Sequence, residues 1–243
     1  MVGARPLLVA LAFAGCGRIG FDPTGGTSDA SAGGDAGRDV PSLVGVATTT
    51  TNGDTLAVPL AGGGGELLVA AVAIYDPIGS VVGVSDDLGA NTFVSAGARE
   101  VVPGTSSTEI WYAADSQPGA TTVTVQLSAA VGGGLWLSQY TGVAPTAPRD
   151  QVAIATGVEA PTVAAPPVVT TSANELVVSV VVIASGAADD IAAGNPFIAM
   201  PAVNGDDAAY GVEPVPGSYG AVWDADGSGA TCASTASFTA APR

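Results

Sequence analysis

Two apolar runs, Leu67 to Tyr75 and Leu176 to Ala184, constrain the fold of this chain more than any other feature. The second contains Val177-Val178-Ser179-Val180-Val181-Val182, and β-branched side chains at that density favour extended backbone over helix. Leu67 to Ile74 is richer in alanine, so a helix is its alternative. The second run argues against that alternative. A strand apolar at every position has no face to offer water, so both runs are expected to be central strands covered on both sides. Neither is long enough to cross a bilayer as a helix.

Elsewhere the period is that of half-buried strands. In Thr121 to Ser128, Val123, Val125 and Leu127 face one side while threonine and glutamine face the other. Pro118-Gly119 supplies a turn before this segment. Leu135 to Tyr140 follows after Gly132-Gly133-Gly134, so the two segments read as an antiparallel pair. The chain also echoes itself. Glu66-Leu67-Leu68-Val69 corresponds to Glu175-Leu176-Val177-Val178 at an offset of 109 residues. Pro118 and Tyr140 correspond to Pro216 and Phe238 at an offset of 98, so the halves differ by an indel in their loops. The expected fold is all-β: an antiparallel β-sandwich, jelly-roll-like. The echo reads either as two related halves of about four strands each forming two packed sheets, or as the resemblance that low-complexity sandwich strands have without duplication. Residues 43–243 are long enough for one such domain.

The first residues have a different character. Arg5 precedes the short apolar run Leu7 to Ala14, then Ala14-Gly15, then Cys16. A charged start, a short apolar run and small residues make a secretory signal. The cysteine at the cleavage point resembles the bacterial lipobox, with Phe13 where an aliphatic residue is usual. The resemblance implies a signal peptide over 1–15 and a diacylglycerol thioether on Cys16. Several acyl chains anchor firmly, since each buried methylene contributes roughly 0.8 kcal/mol and one chain alone binds only marginally. Residues 16–42 continue as a Gly/Ser/Asp/Ala-rich tether with almost no large apolar side chain, a composition expected to stay disordered. Gly17, rather than Asp, after the cysteine favours the outer membrane or cell surface by analogy with lipoprotein sorting.

Charge narrows the function classes. The sequence has 22 acidic residues against six Lys+Arg, no histidine, and a formal net charge of −16. Such a chain repels phosphate backbones, which argues against nucleic acid, and repels anionic head groups, which leaves acylated Cys16 as its contact with the membrane. With no histidine and no lysine there is no Ser-His-Asp triad, imidazole metal ligand or Schiff base. Carboxylate chemistry remains. Glu66, Glu109 and Glu175 sit at strand starts, and a polysaccharide hydrolase needs two carboxyls about 5–10 Å apart.

Three further groups are candidates. Asp224-Ala225-Asp226-Gly227-Ser228-Gly229 puts oxygens on Asp224, Asp226 and Ser228 at alternate positions, a calcium-loop pattern that lacks an acidic twelfth residue. Asp86, Asp87 and Asn91, and the pair Asp206-Asp207, are further clusters of hard ligands, though these residue types are also ordinary turn formers. Trp111, Trp136 and Tyr140 could stack on sugar rings, the competing fate being core packing. Cys232, left single once Cys16 is acylated, reads as a small buried hydrophobe on the face of Ala230 and Phe238.

Five stretches together resemble a type of bacterial surface domain. They are Gly65-Glu66-Leu67-Leu68-Val69, Val84 to Phe93, Ile110-Trp111-Tyr112-Ala113, Val123-Thr124-Val125 and Tyr140-Thr141-Gly142-Val143. The resemblance covers most of 43–243 and implies a jelly-roll-type sandwich of a secreted or lipid-anchored protein with no established activity. The Pro-rich stretch Pro161 to Val169 departs from it. The expected function is a lipid-anchored, non-catalytic binding or structural module with no cofactor apart from the calcium candidate. Its extracellular ligand would be a glycan or a protein. The alternatives are a carbohydrate-binding module and a carboxylate-based hydrolase.

Overall fold

The structure, a computed structural model, describes residues 37–158, 161–227 and 229–243. The signal stretch, Cys16 and the tether as far as residue 36 lie outside the described residues. The first half supplies β1 (Ser42–Thr51), β2 (Thr55–Pro59), β3 (Leu67–Ile74), β4 (Val81–Asp86), β5 (Val94–Ser95), β6 (Glu100–Val102), β7 (Ser106–Ala113), β8 (Thr122–Leu127) and β9 (Gly133–Thr141). The second supplies β10 (Arg149–Val158), β11 (Thr162–Ala164), β12 (Val168–Val169), β13 (Glu175–Ile183), β14 (Ala188–Ile191) and β15 (Ile198–Ala199). It continues with β16 (Asp207–Glu213), β17 (Ser218–Tyr219), β18 (Val222–Ala225) and β19 (Ala230–Phe238). Among the described residues the protein is all-β, and its strands pair antiparallel.

The two halves are wired alike. A large sheet runs β1-β9-β3-β7-β5 in the first and β10-β19-β13-β16-β15 in the second. A small sheet runs β2-β8-β4 in the first and β11-β18-β14 in the second. Each half thus forms its own pair of sheets, rather than contributing four strands to a shared pair. β8 and β9, expected to pair with each other, lie in different sheets: β8 runs between β2 and β4, and β9 between β1 and β3. Of the small-sheet strands only β8 has a clear period. The others are short, and β4 is interrupted at Gly83 by a register shift.

Three apolar cores lie between the large and small sheets, and β12 and β17 form a further two-stranded piece beside the second small sheet. Leu68, Ala70, Val72 and Ile74 of β3 pack toward Val123, Val125 and Leu127 of the first small sheet. Leu67, Val69, Ala71 and Ala73 pack the other way, against Leu176, Val178, Val180 and Val182 of β13. Val177, Val181 and Ile183 then face Trp223 and Val163 of the second small sheet. Every residue of β3 and of β13 is therefore buried, as the absence of a polar face in their sequences requires. Burial of each Val, Leu or Ile contributes about 1.5–3 kcal/mol, so these two strands carry a large share of the stability. The alternation in β8 is equally clear, with Val123 and Val125 fully buried and Gln126 exposed.

Register confirms the internal echo residue by residue. Leu67 faces Tyr140 as Leu176 faces Phe238. Val69 faces Tyr112 as Val178 faces Tyr210. The 109-residue offset changes to 98 between the third strand of each half and its partner across the sheet. The shorter connection from β14 to β16 absorbs the difference. Ring contacts across the central core follow the same equivalence: Tyr112 meets Phe238 edge-on at 5.3 Å, and Tyr210 meets Tyr140 edge-on at 5.6 Å. Each pair is the other with the halves exchanged, which is the signature of a two-fold contact.

The Pro-rich stretch has a place in this plan. β11 and β12 together occupy the position of β2, split at Pro166-Pro167, where two residues lack the N–H that a ladder needs. Opposite the break sits Gly220. A side chain there would lie 2.8 Å from the Ala165 carbonyl oxygen, so only glycine lets the two strands close.

Candidate functional site

The sequence candidates are scattered by the fold. Cys16 and Ser228 lie outside the described residues. Asp224 is exposed on β18, paired with Thr162, and the Asp226 carboxylate accepts the Ala187 N–H at 2.7 Å. Asp86 accepts the amides of Leu88, Ala90 and Asn91 at 2.8, 3.1 and 2.6 Å. Burial pulls this carboxyl upward, but those amides outweigh it and hold its pKa below the usual carboxylate range. Asp87 caps the start of β8 through the Thr121 hydroxyl and amide, and Asn91 Oδ1 accepts the Gln117 N–H. These side chains fasten turns, and their oxygens are turned to backbone donors instead of to a common centre. No group of three or more acidic, cysteine or histidine side chains is disposed to hold a metal among the described residues.

Two of the three aromatic candidates are buried. Trp136 and Tyr140 have 0% exposure in the central core, and the Trp136 indole donates to the Pro201 carbonyl at 2.8 Å. Neither ring presents a face to a ligand. Trp111 is half-buried and donates to Glu109 at 3.1 Å. Alternation along β9 explains the outcome: Trp136, Ser138 and Tyr140 share one face, and that face belongs to the seam between the halves.

Two of the candidate carboxylates are likewise apart. Glu66 and the position of Glu109 are six residues along β3, about 20 Å at strand rise, too far to work on one bond. Glu66 accepts from the Ser116 hydroxyl at 3.3 Å. Glu109 accepts the Val81 amide at 2.8 Å, joining large sheet to small; burial raises its pKa despite that bond, Trp111 and Arg99. Glu175, fully buried, gathers the amides of Thr171 and Ser172 at 2.9 and 2.7 Å and so ties down the turn before β13. Glu213 stands opposite Glu175 in register, and burial raises its pKa too. Cys232 lies in the central core with no exposure, and burial pushes its thiol up to about 11, which suits an inert packing group.

What the sequence reading missed is a cleft of about 420 Å³ at one end of the seam. Both halves build it from corresponding pieces. Tyr75 follows β3, as Ala184 follows β13; Ser106 opens β7, and Asn204 occupies the matching place before β16. Thr105, Ser185 and Asp206 complete its polar lining. Gly134 allows the halves to meet here, since a side chain at that position would lie 2.8 Å from a methyl of Val203.

Asp206 is the unusual member. It is 2% exposed; its Oδ1 accepts the Ile183 amide at 2.9 Å, while Oδ2 is buried without a hydrogen bond of good geometry, the Tyr75 phenol standing beside the carboxylate. Burial pushes its pKa up to about 7 against the Ile183 amide and the Tyr75 hydroxyl, which favour the charged form, and the adjacent Asp207 adds to the rise. The neighbouring Tyr75 phenol is held above its ordinary range by burial and by Asp206. Asp207 points the opposite way, as strand alternation requires. Its carboxylate accepts the Trp223 indole N–H at 2.9 Å in the outer core, and burial raises it to about 7 as well. Two residues that read as one pair of ligands thus belong to different layers.

No family model, curated protein or solved structure matches this chain.

Proposed function

We propose that this protein is a lipid-anchored component of the cell envelope whose duplicated sandwich is a non-catalytic binding module, with the cleft at the seam as its ligand site. The observation that carries the binding reading is Asp206: a buried carboxylate with one oxygen lacking a well-formed hydrogen bond, in a cleft of ligand size lined by hydroxyl and amide groups. A buried carboxyl oxygen without a well-formed hydrogen bond costs stability, so its presence in a cavity wall favours a ligand that completes it. Hydrolysis is disfavoured because Glu66, Glu109 and Glu175 are separately engaged with their own turns and strands. The anchor rests on the order of Arg5, the apolar run and Ala14-Gly15-Cys16.

Binding is tested by presenting the full chain to a glycan array and a pool of small polar metabolites, beside a Ser185→Trp variant. Ser185 is exposed at the rim of the cleft, so an indole there fills the space without disturbing a core. Ligands retained by the wild type and lost by the variant are the expected result. Equal retention, or none by either, sinks the reading. The anchor is tested separately: Cys16→Ser is expected to move the protein from the membrane fraction to the soluble fraction, and continued sedimentation with membranes would refute it.

A further inference from the structure

Duplication makes each half a control for the other. Thr108 in the first half occupies the register position that Asp206 holds in the second: Ala73 faces Thr108, and one step along, Val72 faces Glu109 as Val181 faces Asp207. Thr108 is satisfied, its hydroxyl bonded to Ser234 across the seam at 2.8 Å. The two-fold counterpart of Ser234 is Trp136, opposite Ala71 as Ser234 is opposite Val180. Trp136 spends its only donor on Pro201. At one site, then, a neutral hydroxyl pair closes the seam. At its equivalent, a carboxylate has replaced the hydroxyl and Trp136 stands in place of the serine across the seam, and that is the site lining the cleft.

The chemistry of the lining narrows the ligand. No basic side chain contributes to the cleft, so an anionic ligand would meet Asp206 with nothing to offset the repulsion. Thr105, Ser106, Ser185 and Asn204 offer neutral donors and acceptors suited to hydroxyl groups. The Asp206 oxygen without a well-formed hydrogen bond requires a donor, and a charged donor makes the stronger bond. The acidic chain as a whole, with its net charge of −16, concentrates cations around it. We propose that the cleft binds a small hydroxylated organic ammonium ion, of amino-sugar or amino-alcohol type, with Asp206 as its counter-ion. This rests on the cleft being the ligand site.

The test is calorimetric titration of the full chain with glucosamine, with glucose, with ethanolamine and with calcium chloride alone, at pH 8. Asp206→Asn retains an acceptor for the Ile183 amide and removes only the charge. Asp207→Asn, one residue away and facing the outer core, removes the same charge outside the cleft. Glucosamine or ethanolamine is expected to bind the wild type and Asp207→Asn alike, and to bind Asp206→Asn roughly 10- to 100-fold more weakly. Glucose is expected to bind no better to the wild type than to Asp206→Asn. If glucose matches glucosamine, or if both variants bind the amines as the wild type does, the ammonium assignment is overturned while the cleft reading stands. Calcium binding abolished by Asp206→Asn would overturn it in favour of a metal site. Binding of none of the four also overturns it, and the cleft is then judged by the Ser185→Trp comparison alone.

Discussion

Trp223→Ala is expected to cost about 5 kcal/mol of folding stability, enough to leave the second half unfolded near physiological temperature. Trp223 has 0% exposure and fills the outer core between β13 and the second small sheet, with Val163, Val177, Val181 and Ala209 around it. Truncating a buried tryptophan costs about 3–5 kcal/mol through lost transfer energy and the cavity left behind. The indole N–H is also the donor to Asp207, so its removal strands a buried carboxyl oxygen at a further cost of about 1–3 kcal/mol. Trp111→Ala is the control: that ring is half-buried, and its loss should cost less than half as much. Denaturant unfolding followed by far-UV circular dichroism reads both values. A loss under about 2 kcal/mol for Trp223→Ala would mean that the outer sheet contributes little to holding the second half.

The melting temperature is expected to be about 10 °C higher at pH 5 than at pH 8. Asp206 and Asp207 are both raised to about 7 by burial, from an ordinary value near 3.8. Between those limits the folded protein holds protons that the unfolded chain releases. The stabilisation is therefore full below the unfolded value and is lost as pH rises through about 7. Glu109 and Glu213 are shifted in the same direction, also by burial. Asp86 and Asp87 act oppositely; their lowered values make stability fall again as pH drops below the ordinary carboxylate range. The optimum then lies at about pH 4 to 5. Asp206→Asn and Asp207→Asn should each remove roughly half of the slope between pH 5 and 8 and raise the melting temperature at pH 8. A flat profile for the wild type, or an unchanged slope in both variants, would contradict this account.

The strands that face two ways were the most legible part of the sequence. β3 and β13 are apolar at nearly every position because each is covered on both sides, and no other fold explains a run like Val177 to Val182 so simply. The equivalence of Leu67 with Leu176 and of Tyr140 with Phe238 was legible too, and register bears it out. The number of layers was not. Whether two related halves share one pair of sheets or each fold their own depends on short strands such as Thr55–Pro59, whose five residues carry little periodicity. The burial of Trp136 and Tyr140 was hidden for a related reason: alternation puts them on one face, but composition does not say whether that face meets water or another sheet. The cleft was hidden because its walls come from residues far apart in sequence, Tyr75 and Asp206 among them. One signal was available: aligning the halves through their offsets sets Asp206 against Thr108, an acid in place of a hydroxyl at a position that alternation turns inward.

The central core has a consequence for the history of the chain. Leu67, Val69 and Ala71 on one side, and Leu176, Val178 and Val180 on the other, are buried in one core shared by the two large sheets. A lone half would present a whole apolar sheet to water, a surface larger than a soluble monomer tolerates. The reciprocal contacts Tyr112 to Phe238 and Tyr210 to Tyr140 describe the cover such a half would find: a second copy of itself. This molecule has the anatomy of a homodimer written into one polypeptide. Halves joined in one chain need not be identical, and an acid at the position equivalent to Thr108 is a change that a dimer of identical chains could not carry on one side alone.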